Sequence, residues 1–300
     1  VMVNERHHAA SDRLLTLRLL PVLWRKGYRY FAAEALDFPD TALNHRAAAR
    51  IGVTGGYVDE PVFGEIVREA RRLGYTLVPY EASHEQETAN DSLNAQQRRD
   101  HAQAVNLNDR VFRRDPNAKV LVHAGFGHIK EQTAGDWLPM AWYLQRLTGL
   151  DAVTVDQTVM GEGSRPAKEH PAYRAAYAAG LVRRAPVVLT DSDGRPLPPV
   201  RFDGVDLQAV TPRTTYTRGR PDWMTLGGRR RAVDVPVPEC ARRQRIVEVR
   251  LVGDPDDAVP LDRAEAREGT VRLFLPLRGP VRIRLYTPSH ELLRTFDRRR

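Results

Sequence analysis

Glu5, His7, Glu34 and His128 are the residues whose types and placement could do chemistry in this chain. Two imidazoles and two carboxylates converging on one sheet edge can ligate a divalent metal such as manganese, cobalt or zinc and lower the pKa of its bound water. Without a metal, the same groups can form a His–Glu general base that activates water for ester or amide hydrolysis. Arg13 is placed to orient a carboxylate or steady an oxyanion. Gly125-Phe126-Gly127 allows the backbone to approach a ligand closely.

The elements around these residues must bring them together. An apolar run, Val1 to Val3, ends in the polar cluster Asn4-Glu5-Arg6-His7-His8. A helix follows, with Ser11 or Asp12 as its N-cap and an apolar face of Leu14, Leu15, Leu17, Leu19, Leu20, Leu23 and Trp24, until Gly27 stops it. Tyr28 to Glu34 reads as a second buried strand ending in a carboxylate. Strand, helix and strand in this order form a βαβ unit with parallel strands. Glu5, His7 and Glu34 are then expected at the carboxyl ends of neighbouring strands, where open α/β sheets place their sites.

The alternation continues. A helix opened by Asp59-Glu60-Pro61 and ended by Gly74 precedes a third strand, Tyr75–Glu81. The polar segment 82–94 reads as a loop, and a helix is expected over 97–114. A fourth strand, Ala118–Ala124, runs into Gly125-Phe126-Gly127-His128; a helix over 137–147 and a strand over 152–156 follow. After residue 161 the pattern weakens to one helix, a short strand at Val187–Leu189 and Pro-rich and Arg-rich connections. From Ala232 it becomes period-two strands, with Gly279-Pro280 as a hairpin corner between Val271–Leu275 and Val281–Tyr286. The fold class expected is α/β: a mainly parallel doubly wound sheet with helices on both faces, then a small C-terminal antiparallel β module. The domain boundaries expected are 1–163 for the α/β core, 164–228 for an extension and linker that could complete it, and 229–300 for the β module.

Two candidates have plainer explanations. Glu81 at a strand end is more often an N-cap partner or a surface salt bridge, and His123 within an apolar strand reads as a satisfied core histidine. His8, His45, His84, His101, His170 and His290 lie in no motif.

The order Asn4-Glu5-Arg6-His7, Arg13, Ala33-Glu34, then Gly125-Phe126-Gly127-His128 resembles the ChaN/Tiki/TraB/erythromycin-esterase superfamily over residues 1–160. That group has a Gly-Glu-x-His type motif, a downstream Glu and a later Gly-x-x-His. The resemblance implies Glu5, His7, Glu34 and His128 as site positions, with Arg13 in support. It also implies a range of activities: Tiki proteins are metal-dependent proteases, erythromycin esterases hydrolyse a macrolactone, and ChaN binds haem. Asn4 stands where the family's first glycine usually lies. His7 has the ChaN-like spacing, whereas the esterases place the histidine where His8 sits, so the acting histidine is open between them.

Bulk properties narrow the rest. Apolar residues make up 42% and charged residues 28% of the 300, ordinary for a globular protein with ample core. No apolar run is long enough to span a membrane. The net charge is +8, and residues 229–300 carry 17 arginines against 11 acids. Aromatics are sparse there and no nucleic-acid motif occurs, so the arginines are expected on solvated strand faces rather than on nucleic acid. The single cysteine, Cys240, excludes an internal disulfide. Val1 opens inside a strand, so the chain is expected to be a piece of a longer precursor without any targeting segment, with the compartment open and export one option.

The expected function is hydrolysis of a peptide or ester bond in a small-molecule or peptide substrate, by water activated at the Glu5/His7/Glu34/His128 cluster with a divalent metal. The rival is a protein binding haem, metal or a small ligand without turnover. A third reading, an interaction protein without activity, would be favoured by arginines on Glu5 and His128.

Overall fold

Short, wholly apolar runs and amphipathic runs alternate through the first half of the chain, and each apolar run becomes a buried strand. The computed structural model describes residues 1–88, 92–133, 135–201, 204–240, 243–266 and 269–298. Its elements begin with β1 (Met2–Glu5), α1 (Arg13–Arg25), β2 (Tyr30–Ala33), α2 (Pro61–Leu73) and β3 (Thr76–Pro79). There follow α3 (His84–Glu87), α4 (Ala95–Leu107), β4 (Val120–Gly125), α5 (Met140–Thr148) and β5 (Thr154–Asp156). Then come α6 (Pro171–Ala178), β6 (Val187–Val188) and β7 (Leu207–Val210).

These strands form a seven-stranded sheet in the order β3-β2-β4-β1-β5-β7-β6, parallel except where β6 runs against β7. The expectation that β1 and β2 are neighbours needs correcting, because β4 lies between them. All six residues of β4 are buried, and it takes the slot hydrogen-bonded on both edges. A βαβ crossover can leave a gap that a later, more apolar strand fills. Its register sets Gly125 opposite Glu5 and His123 opposite Ala33.

Side-chain alternation divides the sheet's two faces. Met2, Ala32, Val122 and Ala124 pack with Leu107 of α4 and Met140 and Leu144 of α5. Glu5 and His123 project to the opposite face, where His123 Nδ1 meets Thr16 Oγ1 of α1 at 2.8 Å. Helices therefore cover both faces. Segment 82–94, expected as loop, contains α3, because Ser83 and Gln86 form a capping box; residues 89–91 lie outside the described residues. A second capping box, Asn94 with Gln97, starts α4 two residues earlier than the apolar pattern predicts, and a π-helical turn over Asn108–Phe112 continues it.

By its contacts the chain divides into one unit of residues 1–46 and 69–213 and a second of 47–68 and 214–300. The second unit contains β8 (Tyr216–Thr217), β9 (Arg220–Pro221), β10 (Arg230–Pro236) and β11 (Arg245–Leu251). It also contains β12 (Asp262–Ala266), β13 (Thr270–Pro276), β14 (Val281–Tyr286) and β15 (Leu292–Arg298). β10 pairs with β13, and the order β12-β11-β14-β15 makes a second antiparallel sheet. Val235 and Leu273 of one sheet share a core with Val247, Val249 and Ile283 of the other, which makes a sandwich. The turn at Gly279-Pro280 is thus not a hairpin corner: it carries the chain between sheets, since both flanking strands must aim their apolar faces at the same core. Many arginines are paired within this unit, as in Arg250 to Glu248 at 2.7 Å and Arg282 to Asp297 at 2.9 Å. Among the described residues no helix is long and apolar enough to cross a membrane.

The packing of α1 is testable with a pair of truncations. Leu20 is fully buried and Val22, two residues on, is 39% exposed. Leu20→Ala should cost about 2–5 kcal/mol in urea unfolding and Val22→Ala within about 0.5 kcal/mol.

Candidate functional site

The carboxyl ends of β1, β2 and β4 set the site. Glu5 is the last residue of β1, and only 1% of it is exposed. Arg13, at the start of α1, donates from Nε to Glu5 Oε2 at 2.7 Å and from Nη2 to Oε1 at 3.0 Å. His7 Nδ1 lies 3.0 Å from Oε1, and His123 Nε2 lies 3.0 Å from Oε2. Burial alone would raise the pKa of Glu5. The charge of His123 and the hydrogen bonds from His123, His7 and Arg13 outweigh it and hold the carboxyl well below the usual range. An ionised Glu5 accepts from His7 Nδ1–H, which leaves Nε2 as the basic nitrogen of the ring. Arg13 is as buried as its partner, so it holds Glu5 and reaches no substrate.

A second cluster gathers at the ends of β2 and β3. Glu34, just past β2, accepts from Gly125 N at 2.5 Å and from Arg99 Nη2 at 2.6 Å. The same guanidinium donates to Glu81 at 3.0 Å and to His128 Nε2 at 3.2 Å. His128 Nδ1 meets Asp100 Oδ1 at 2.5 Å, and Trp137 Nε1 and Met140 N each donate to Asp100 at 2.8 Å. Burial would raise the pKa of Glu34, but the charges of His128 and Arg99 and the bond from Gly125 bring it below its ordinary value. Burial would lower that of His128, yet the bond to Asp100 and the charges of Glu34 and Asp100 raise it, against Arg99. A second proton, on Nε2, would displace the bond from Arg99, and Glu34 Oε1 lies 3.9 Å from that nitrogen.

The two clusters meet at Gly125. A β-carbon there would lie 2.5 Å from His7 Cε1 and 3.1 Å from Glu34 Oε2, so the missing side chain is what lets imidazole and carboxylate approach. Phe126 follows with φ of 39°, a left-handed conformation that costs a non-glycine residue energy. It is 46% exposed, and its ring stands edge-on to His7 at 5.3 Å. Asn4 donates to Phe126 O at 2.6 Å and to Asp156 at 2.7 Å, which pins this turn.

All five sequence candidates therefore lie at one sheet edge, as two His–carboxylate pairs: Glu5–His7 with Arg13, and Asp100–His128 beside Glu34. Sequence reasoning assigned no role to Arg99 or Asp100. The available signal was a polar stripe on α4, where Arg99, Gln103 and Asn106 recur at helical spacing and all reach residue 81: Gln103 Nε2 meets the Glu81 carboxylate at 3.0 Å, and Asn106 Nδ2 its carbonyl at 2.9 Å. Among the described residues no group of three or more His, Cys, Asp or Glu side chains stands ready to hold a metal. In the expected set, Glu5 is filled by Arg13, and Arg99 places a cation between Glu34 and His128. As arranged, this donor set does not fit a divalent ion.

No family model matches this chain, and no curated protein matches it either. A solved structure titled "Bacterial protein toxins" is similar at 13% identity and a TM-score of 0.36, over 52% of this chain and 34% of that one. The chain spans about a third of that structure's length. A likeness at that level supports no conclusion.

Gly125→Ala should push the His7 ring off Glu5, visible as changed His7 imidazole chemical shifts by NMR at fixed pH with the fold retained. His128 predicts a pH effect. Because its folded pKa is raised, its stabilising contribution is full below the unfolded value of roughly 6.5 and is lost as pH rises through the folded value. The stability gap between the parent and His128→Gln should therefore be wider at acidic than at alkaline pH in denaturant titrations.

Proposed function

We propose that the chain is a hydrolase in which the Glu5–His7 pair activates water to cleave an ester or peptide bond. The observation that carries this is a buried carboxylate, held ionised by Arg13, accepting from His7 Nδ1 while the ring lies beside Gly125 at the open strand end. In this reading His7 Nε2 takes the proton of a water, whose oxygen adds to the substrate carbonyl carbon. The bond from that carbon to the leaving oxygen or nitrogen then breaks, the leaving group takes its proton from His128, and the proton held on His7 passes to solvent as His128 regains one from it. Arg99, with 28% of its side chain exposed, faces the charge that develops on the carbonyl oxygen. The raised pKa of His128 suits it to supply a proton to the leaving group.

The convergence of Glu5, His7, Glu34 and His128 supports the resemblance to the ChaN/Tiki/TraB/erythromycin-esterase superfamily and favours its hydrolytic members without a metal. His7 is favoured over His8 because its Nδ1 meets Glu5. One observation favours another reading, an interaction protein without activity: arginines already occupy Glu5 and His128, as in a site built for charge balance.

Hydrolysis of nitrophenyl esters and of an unstructured peptide should be followed for the parent, His7→Ala and His128→Ala. The parent should turn over at least one of them, and His7→Ala should lose about 10²–10⁴-fold while keeping its thermal midpoint. An inactive parent that shifts the Soret band of added haem would replace this function with ligand binding, and an inactive parent that leaves the band unmoved would replace it with the interaction protein.

A further inference from the structure

Two cavities of about 250 and 400 Å³ share Thr158, Val159, Arg201 and Phe126, whose ring meets that of His7. The smaller also takes Trp137 and Lys130 into its wall, and the larger takes Lys168 and Arg6. Phe126, Trp137 and Val159 supply apolar surface, while the charged groups around them are mostly cationic.

The carboxylates of this groove are already engaged. Asp156 accepts from Asn4 at 2.7 Å, from Thr158 Oγ1 at 2.7 Å and from Gln208 at 3.0 Å. Glu169 accepts from Arg213 at 2.6 Å, and Arg6 is spent on Asp12 at 2.8 Å. Among the described residues, neither Arg201 nor Lys168 has a carboxylate partner, although both line the groove. A cation kept at a cavity wall beside apolar surface is suited to an anion with an apolar body.

We propose that this groove is the substrate's recognition subsite, and that it takes an amphipathic carboxylate or phosphate: the apolar body on Phe126 and Trp137, the anionic end on Arg201 and Lys168. Its place as a subsite rests on the hydrolase reading, because Phe126, which lines both cavities, stands against the His7 ring with 5.3 Å between ring centres. Anion binding itself does not need turnover. Trp137 further ties the groove to the site by donating to Asp100, the partner of His128.

The test is calorimetric binding of phenylbutyrate and of its uncharged amide to the parent, to Arg201→Ala/Lys168→Ala and to His7→Ala. The acid should bind about tenfold tighter than the amide, as a charge-assisted hydrogen bond allows, and added salt should narrow the gap. The double variant should lose that preference while still binding the amide, and His7→Ala should keep it. Equal binding of acid and amide, binding of neither, or an undiminished preference in the double variant would overturn the subsite. A parent that prefers the acid but hydrolyses no ester would overturn only the hydrolase reading.

Discussion

A carboxylate at the end of a buried central strand is tolerable only while it is paired, and Glu5 depends on Arg13 for that. Both are almost wholly out of solvent, so removal of either would leave an uncompensated charge in the core. The pair also decides how α1 enters: Arg13 is the first residue of the helix, and fixing its guanidinium on Glu5 fixes the loop that holds His7 between them. His123 and Thr16 complete the arrangement from β4 and from α1's next turn, so one buried ion pair ties a strand, a helix and the neighbouring strand together. An ionised Glu5 in turn sets which nitrogen of His7 bears the proton.

The second half of the site follows the same logic with a different cation. Arg99 lies among Glu34, Glu81 and His128, and without it two carboxylates would face each other at the ends of β2 and β3. Asp100 on the same helix turn accepts from an imidazole, an indole and a backbone amide, so it anchors α4, His128 and the start of α5 together. These contacts explain why polar Asp100 and Gln103 are buried in α4. They satisfy the sheet edge instead of a core.

Gly125 is where the two halves become one site. Its amide donates to Glu34, its carbonyl accepts from His128 N at 3.3 Å, and the space a side chain would fill holds the His7 ring. Phe126 is driven into a left-handed conformation directly afterwards, and Asn4 holds it there through its carbonyl. The left-handed Phe126, its exposed ring and the two imidazoles nearby are what the hydrolase proposal accounts for at this turn.

Apolar periodicity and the residues that close each strand are local properties, so the α/β class, the period-two module after residue 232 and the strand-end positions of Glu5, Glu34 and His128 were legible along the chain. It also held the resemblance carried by residues 4–7, 34 and 125–128. Tertiary structure alone decided that β4 inserts between β1 and β2, since strand order depends on which segment is best buried on both edges. The same holds for β13 and β14, which join opposing sheets because a shared core, not the turn between them, selects their partners. The roles of Arg99 and Asp100 were also hidden. A polar helix stripe reads as solvent-facing until the sheet edge that it neutralises is in place.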